Sequence, residues 1–327
     1  MSMMNDHIMS LNDSIPKDKE RHLPLFNIRE GSRRMEDVVL SDENTSLLNK
    51  LLQEHHQTET LQGYGLHPAN RLLFCGYSGC GKTLTAEVLA SELGLPLAII
   101  RMDSVVSSLH GRTADNLRQI FNYITTIPMV VLFDGFDALV KEYAGIAEYG
   151  ELKRTANAFL QMLDDYSGKS VLVATTNHEY ILDAALWRRF DEVLLFEFPN
   201  LEQMRQLLRF KLRGLRHELN IEDTSTMSMF KGMSHADVAR VLLRAAKEMV
   251  ISGKEVLDEQ HLQSTIRREG VRRTYMMAVG QPARYSAEEV QGGKLSAAQS
   301  RPHYNWFVHR QKKPSIGRFF LLFEILL

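Results

Sequence analysis

Apolar residues recur along this chain in two alternating registers. Arg71 to Cys75, Pro96 to Met102, Met129 to Phe133, Ser170 to Thr175 and Glu192 to Phe198 are short and apolar at consecutive positions, so they read as strands. Between them, Thr83 to Leu93, Thr113 to Tyr123 and Glu151 to Leu163 space their apolar residues as helices do. Runs such as Val130-Val131-Leu132-Phe133 leave no polar face, which suits a parallel sheet covered by helices. A helical pattern also covers Asn49 to Glu54, and Gly94 is placed to cap the helix that ends at Leu93. After Pro199 the strand signal stops, and Leu201 to Leu212, Ala236 to Met249 and Asp258 to Arg267 are all helical in pattern. The expected fold class is α/β, a parallel-sheet domain over residues 36–199 followed by a small all-helical lid domain over 200–280. Residues 1–35 are polar and Met-rich without a period and read as a flexible arm. The Gly, Ser, Gln and Arg composition of residues 281–327 reads as a poorly ordered tail.

Composition narrows the partners. Of 327 residues, 44% are hydrophobic and 24% charged, ordinary for a globular protein, and a net charge of −1 offers no global field to attract nucleic acid or anionic lipid. Nucleic acid is therefore not expected as a partner; the basic segment Arg301 to Lys313 reads as part of the tail. Cys75 and Cys80 make no C-x-x-C pair and too few cysteines for a disulfide framework, so a reducing, cytoplasmic setting is expected. The first residues lack the basic-then-hydrophobic order of a secretory signal, and no run approaches the roughly twenty apolar residues of a membrane span.

Chemistry enters with Gly76-Tyr77-Ser78-Gly79-Cys80-Gly81-Lys82-Thr83, a complete G-x-x-x-x-G-K-T loop between a strand and a helix, with Leu84 following. Its glycines permit backbone angles that turn successive N–H groups toward a phosphate, and the helix that follows aims its positive end at the same anion. Lys82 is placed to neutralise the β and γ phosphates and the Thr83 hydroxyl to bind Mg²⁺. Asp134, at the C-terminal end of the strand Val130 to Phe133, is the second candidate metal ligand, because ligands gather at that edge of an open parallel sheet. A nucleoside triphosphate and Mg²⁺ are the expected ligands. Cys80 lies near Lys82 and a helix start, where a thiol pKa can fall, but its bland role as a small tolerated residue suffices.

Around these motifs the chain resembles the AAA+ ATPases, P-loop NTPases, and within them the branch holding katanin, spastin and the FtsH-like proteases, from about Met35 to about Gly280. Val173-Ala174-Thr175-Thr176-Asn177 is similar to the first sensor strand of that family, whose asparagine touches the γ phosphate and the attacking water; a neutral amide can donate and accept at once. The resemblance thus assigns Asn177 that role. Leu182 to Asp191 resembles L-D-P-A-L-x-R-P-G-R-F-D without its P-G pair. By that likeness Arg189 is a finger reaching a neighbouring subunit's site, where a planar cation matches the charge of a phosphoryl transition state. A second family arginine is replaced by Glu192, with Arg188 as a possible substitute. Gly232-Met233-Ser234-His235-Ala236-Asp237 is similar to the start of the lid helix, with His235 in place of a glycine and expected to face solvent. The resemblance implies a homo-oligomeric, hexameric ring acting on a protein substrate.

Two departures bear on activity. The family's acidic pair D-E is here Asp134-Gly135, and glycine has no group to orient or deprotonate water. Asp137 is expected to point elsewhere from an extended segment. Restoring Gly135→Glu is expected to raise turnover. At the ring's pore, Leu109-His110-Gly111 stands where the family places an aromatic-hydrophobic-glycine triplet, leaving a weaker grip on polypeptide. No H-E-x-x-H occurs, so His178-Glu179 is a fragment of that zinc pattern and any proteolysis requires a separate peptidase. Two functions remain open: ATP-driven remodelling of a protein, or an ATP-binding scaffold or regulatory subunit deficient in hydrolysis.

Overall fold

The computed structural model describes residues 2–19, 22–102, 105, 113–137, 150–177 and 184–279. In chain order, helix α1 (Ser2–Asp13) precedes the short strand β1 (Asn27–Arg29), a 3₁₀ turn at Met35–Asp37, α2 (Asp42–His56) and α3 (Thr58–Gly63). The repeating part follows: β2 (Arg71–Gly76), α4 (Lys82–Leu93), β3 (Leu97–Arg101), α5 (Thr113–Thr126), β4 (Val130–Asp134), α6 (Gly150–Asp164) and β5 (Val171–Thr176). The short α7 (Ala184–Trp187) and β6 (Glu192–Phe196) complete the sheet, and α8 (Leu201–Lys211), α9 (Thr224–Met229), α10 (His235–Ile251) and α11 (Glu259–Val279) are the helices beyond it.

The six strands are ordered β1-β3-β4-β5-β2-β6, all parallel except β1, which runs antiparallel to β3. This is the α/β, mostly parallel architecture expected of strands apolar on both faces. β5 is buried at every position and β4 at its first four, so neither face can meet water and both need helical cover. On one face α5 lays down Leu117, Ile120, Phe121 and Ile124, a three-and-four spacing that makes one apolar stripe, against a cluster holding Phe133, Phe136 and Phe159. On the other, Leu48 and Leu51 of α2 and Ala86 and Leu89 of α4 pack over Leu72, Phe74, Leu132 and Val173. Each fully buried phenylalanine removes enough apolar surface to contribute about 2–3 kcal/mol. Ser41 caps α2 through its hydroxyl, which accepts from the Asn44 N–H at 3.1 Å, and Gly94 ends α4 at φ +64° as its sequence position foretold.

The first thirty-five residues depart from a flexible arm. Leu11, Ile15, Phe26 and Ile28 are buried in the core, and β1 extends the sheet beyond β3. The side-chain amide of Asn12 holds this addition in place: Nδ2 donates to the Ile28 carbonyl at 2.9 Å and Oδ1 accepts from the Ile28 N–H at 3.1 Å. On the opposite edge, Nδ2 of Asn44 donates to the Leu195 carbonyl of β6 at 2.7 Å.

The described residues divide into two compact units, 2–207 with Gly232–Ala236 and Leu208–Lys231 with 237–279. The second is helical, with Val238, Val241, Leu242 and Ala245 of α10 and Leu262 of α11 buried. Its Glu269 carboxylate, fully buried, pairs with Arg240 at 2.6 Å, Arg244 at 3.0 Å and Arg272 at 2.7 Å, which supplies the partners a buried charge requires.

Candidate functional site

The loop between β2 and α4 gets its shape from three glycines. Gly76, Gly79 and Gly81 have φ of +128°, +77° and +106°, a region that side-chain-bearing residues avoid. Two of them are also crowded. A Cβ on Gly76 would lie 2.1 Å from the Phe196 carbonyl oxygen, and one on Gly79 would lie 2.8 Å from the Ser234 hydroxyl. The Tyr77 N–H donates to that same Phe196 oxygen at 2.9 Å, and the Ala236 N–H donates to the Gly79 carbonyl at 3.0 Å. The loop is thus held from both sides by main-chain contacts, with Tyr77 stacked on Phe198 at 4.4 Å between centroids. Ser78 and Thr83 are exposed, Leu84 is half-buried, and Cys80 is buried with its sulfur 4.0 Å from the Ser78 carbonyl.

Lys82 lies at the centre of what the fold assembles. Its ammonium donates to the carbonyls of Gly76 at 2.7 Å and Tyr77 at 3.0 Å, and to Oδ1 of Asn177 at 2.8 Å. Burial pushes its pKa below the usual lysine value, opposed by Cys80, Asp137, Cys75 and Asp134. Asp134 ends β4 beside β5, where its Oδ1 accepts from the Thr175 hydroxyl at 2.9 Å. Lys82 and Asn177, and Asp134 at the neighbouring strand end, are therefore brought to one edge of the sheet.

At Gly135 and Asp137 the structure departs from the expectation of an extended segment. Gly135 adopts φ +74°, its N–H donating to the Thr175 hydroxyl at 3.3 Å, and the Phe136 N–H donates to the Thr175 carbonyl at 3.0 Å. The chain therefore turns after β4, and Phe136 is buried against Phe159 with ring centroids 5.1 Å apart. The turn corrects the expectation for Asp137: its Oδ1 accepts from the Asn177 N–H at 3.0 Å and from the Thr176 hydroxyl, and its Oδ2 accepts from Nδ2 of Asn177 at 3.2 Å. An extended segment would have sent this side chain away; a left-handed glycine returns it. The Asp-x-x-Asp spacing was the available signal, but only the conformation at Gly135 gives it meaning.

His235 is a second correction. Instead of facing solvent it is mostly enclosed, its ring nitrogens buried without a hydrogen bond of good geometry among the described residues. Burial holds its pKa down to about 4, with the Val39 backbone only partly opposing that shift. It lines a cavity of about 740 Å³ beside the loop, together with Val39, Leu40, Leu47, Cys80 and Phe196. A larger cavity of about 940 Å³ opens near the start of β2, lined by His55, Arg71 and Lys169, away from the phosphate loop.

Arg189 and Arg188 are not part of the Lys82 network. Arg189 pairs with Asp164 at the end of α6, and Arg188 is exposed. Leu109-His110-Gly111, the fragment His178-Glu179 and Leu182-Asp183 lie outside the described residues. Among the described residues, no helix is long and apolar enough to cross a membrane.

The donor set fits a nucleotide with a divalent metal: a loop that side chains would obstruct, an ammonium held on loop carbonyls, a hydroxyl at the start of α4 and a carboxylate at the end of β4. Comparison with known proteins agrees. Residues 72–198 match the family described as ATPase family associated with various cellular activities (AAA). The chain is 36% identical over 244 residues to the uncharacterized AAA family ATPase y4kL of Sinorhizobium fredii, covering 75% of this chain and 73% of that one. It is 24% identical over 255 residues to the ATP-dependent zinc metalloprotease FtsH of Helicobacter pylori, covering 75% of this chain and 40% of that one. It is also 32% identical over 184 residues to the peroxisomal ATPase PEX1 of Arthrobotrys oligospora, covering 55% of this chain and 15% of that one. The chain thus spans less than half the length of the latter two.

Proposed function

Because this chain belongs to the AAA family of ATPases, we propose that it binds ATP with Mg²⁺ and couples hydrolysis to the remodelling of a protein substrate. The observation that carries the reading is the hydrogen bond from Lys82 to Asn177, which joins the phosphate loop to a residue 95 positions away at the end of β5. An ammonium and an orienting amide on one strand edge are what phosphoryl transfer to water requires, because catalysis there is positioning and charge stabilisation. On this reading Gly76 to Leu84 line the phosphates, with the N–H groups beyond Tyr77 as the donors, and Thr83 and Asp134 would hold Mg²⁺, which would neutralise charge on the β and γ phosphates. The cavity beside Cys80 and His235 takes the nucleoside end. Arg189, with Arg188 beside it, acts in trans on the site of an adjoining copy in a homo-oligomeric, hexameric ring in the cytoplasm. Residues 36–199 are the nucleotide-binding domain and 200–280 a second, helical domain. FtsH is an ATP-dependent zinc metalloprotease, and on this reading a separate peptidase is a candidate partner.

Gly135 favours a second reading, a scaffold in which ATP stabilises the assembly without turnover. Purified chain with ATP and Mg²⁺ decides between them. Under the first, phosphate release exceeds background and is lost in Lys82→Ala. Release at background, with ATP bound and assembly still responding to it, leaves only the scaffold.

A further inference from the structure

The turn after β4 brings a carboxylate back to the strand edge where Gly135 offers none. Gly135 leaves open space at the strand end: a Cβ built there meets nothing within 4 Å. The buried ring of Phe136 anchors the turn, and Asp137, two residues beyond Gly135, is carried back against Asn177. The link to the phosphate loop is direct, since Asn177 accepts from Lys82 at 2.8 Å through Oδ1 and donates to Asp137 at 3.2 Å through Nδ2. Asp134, the other carboxylate on this edge, is committed to the metal on the reading above and accepts from Thr175. Asp137 also acts on Lys82 electrostatically, ahead of Asp134.

We infer that Asp137 supplies the carboxylate that takes the proton from the attacking water, in place of the side chain missing at Gly135. Oδ1 already accepts two donors, the Thr176 hydroxyl and the Asn177 N–H, whereas Oδ2 accepts only Nδ2 of Asn177 among the described residues. A carboxylate oxygen has capacity for two, so Oδ2 keeps one acceptor position for water. In the step, the water oxygen bonds to the γ phosphorus and the bond from that phosphorus to the β–γ bridging oxygen breaks. The bond's electron pair leaves with ADP, and the water proton passes to Oδ2, to be returned to phosphate or solvent. Neither an oxidant nor a further reactant is required.

The inference rests on the hydrolysis reading, so both are tested in one series: single-turnover phosphate release with protein in excess over ATP, alongside the dissociation constant of a non-hydrolysable ATP analogue. Asp137→Asn is expected to reduce release about a hundredfold while analogue affinity stays within about twofold. A residue acting only by positioning Asn177 would lose its effect once Asn177 is gone. The decisive comparison is therefore Asp137→Asn in an Asn177→Ala background, where a further loss of about tenfold or more is expected. Absence of that further loss, or little change in the single variant, overturns the inference and leaves the hydrolysis reading standing. Wild-type release at background with analogue bound overturns the hydrolysis reading itself. Should Asp137→Asn fail to bind analogue, Asp137→Glu and Asp137→Gln decide, because they match in size and differ in charge; equal release overturns the inference.

Discussion

Gly135 joins two properties that a sequence shows separately: it removes a carboxylate and it permits a turn. At φ +74° any other residue sits in the left-handed region, at a cost of about 1–2 kcal/mol, even though the space beside it is open. Gly135→Glu is therefore expected to raise phosphate release while lowering unfolding stability by that amount, with Gly135→Ala showing the stability loss alone in denaturant melts. Unchanged release in the glutamate variant would mean that the missing side chain does not limit turnover. His235 gives a pH dependence of definite sign. Its folded pKa of about 4 lies below the ordinary 6.5, so the unfolded chain takes up the proton more readily. The stability it contributes is full above pH 6.5 and falls as pH drops toward 4, by about 3 kcal/mol at most. Glu43, Glu192 and Glu197 line the same cavity and remain in a His235→Gly variant, so a difference melt between variant and wild type isolates the imidazole. That variant should lose the decline between pH 6.5 and 5, and an identical pH profile would refute the assignment.

Among the elements, β1 is held on its outer edge by one side chain. Asn12 pairs both the N–H and the carbonyl of Ile28, so Asn12→Ala leaves two main-chain groups without that partner at a cost of about 1–3 kcal/mol. Faster amide exchange at Ile28 and a lower melting midpoint are expected; exchange at the wild-type rate would show the clamp to be incidental. This element was hidden from the sequence for a physical reason. β1 has only three residues with one buried between two exposed, too few for a period, and the helix before it sits in a Met-rich segment that reads as disorder. The doubly apolar strands were plain because a covered parallel sheet leaves no solvent face to interrupt them. The positions of the glycine loop between β2 and α4, of Lys82 at the start of α4 and of Asp134 at the end of β4 were equally plain, since spacing alone marks them. The placement of Asp137 and His235 was not legible because it follows from a turn and from enclosure, neither of which local spacing encodes.

For the molecule as a whole, the broad order of a sheet followed by helices was legible from where the strand signal stops, near Pro199. The finer boundary was not, because α8 runs from Leu201 to Lys211 across the point, Leu207 to Leu208, where one compact unit gives way to the other. A short segment, Gly232–Ala236, also belongs to the sheet unit although helical sequence surrounds it. Its contacts with Gly79 explain why: the phosphate loop needs a wall there, and Ser234 and Ala236 provide it. The asparagines at the two rims of the sheet have a consequence for any community of copies. Asn12 at Ile28 and Asn44 at Leu195 occupy backbone groups through which a stray strand would otherwise zip on. Molecules crowded side by side are thereby steered away from ribbon-like growth through these two rims.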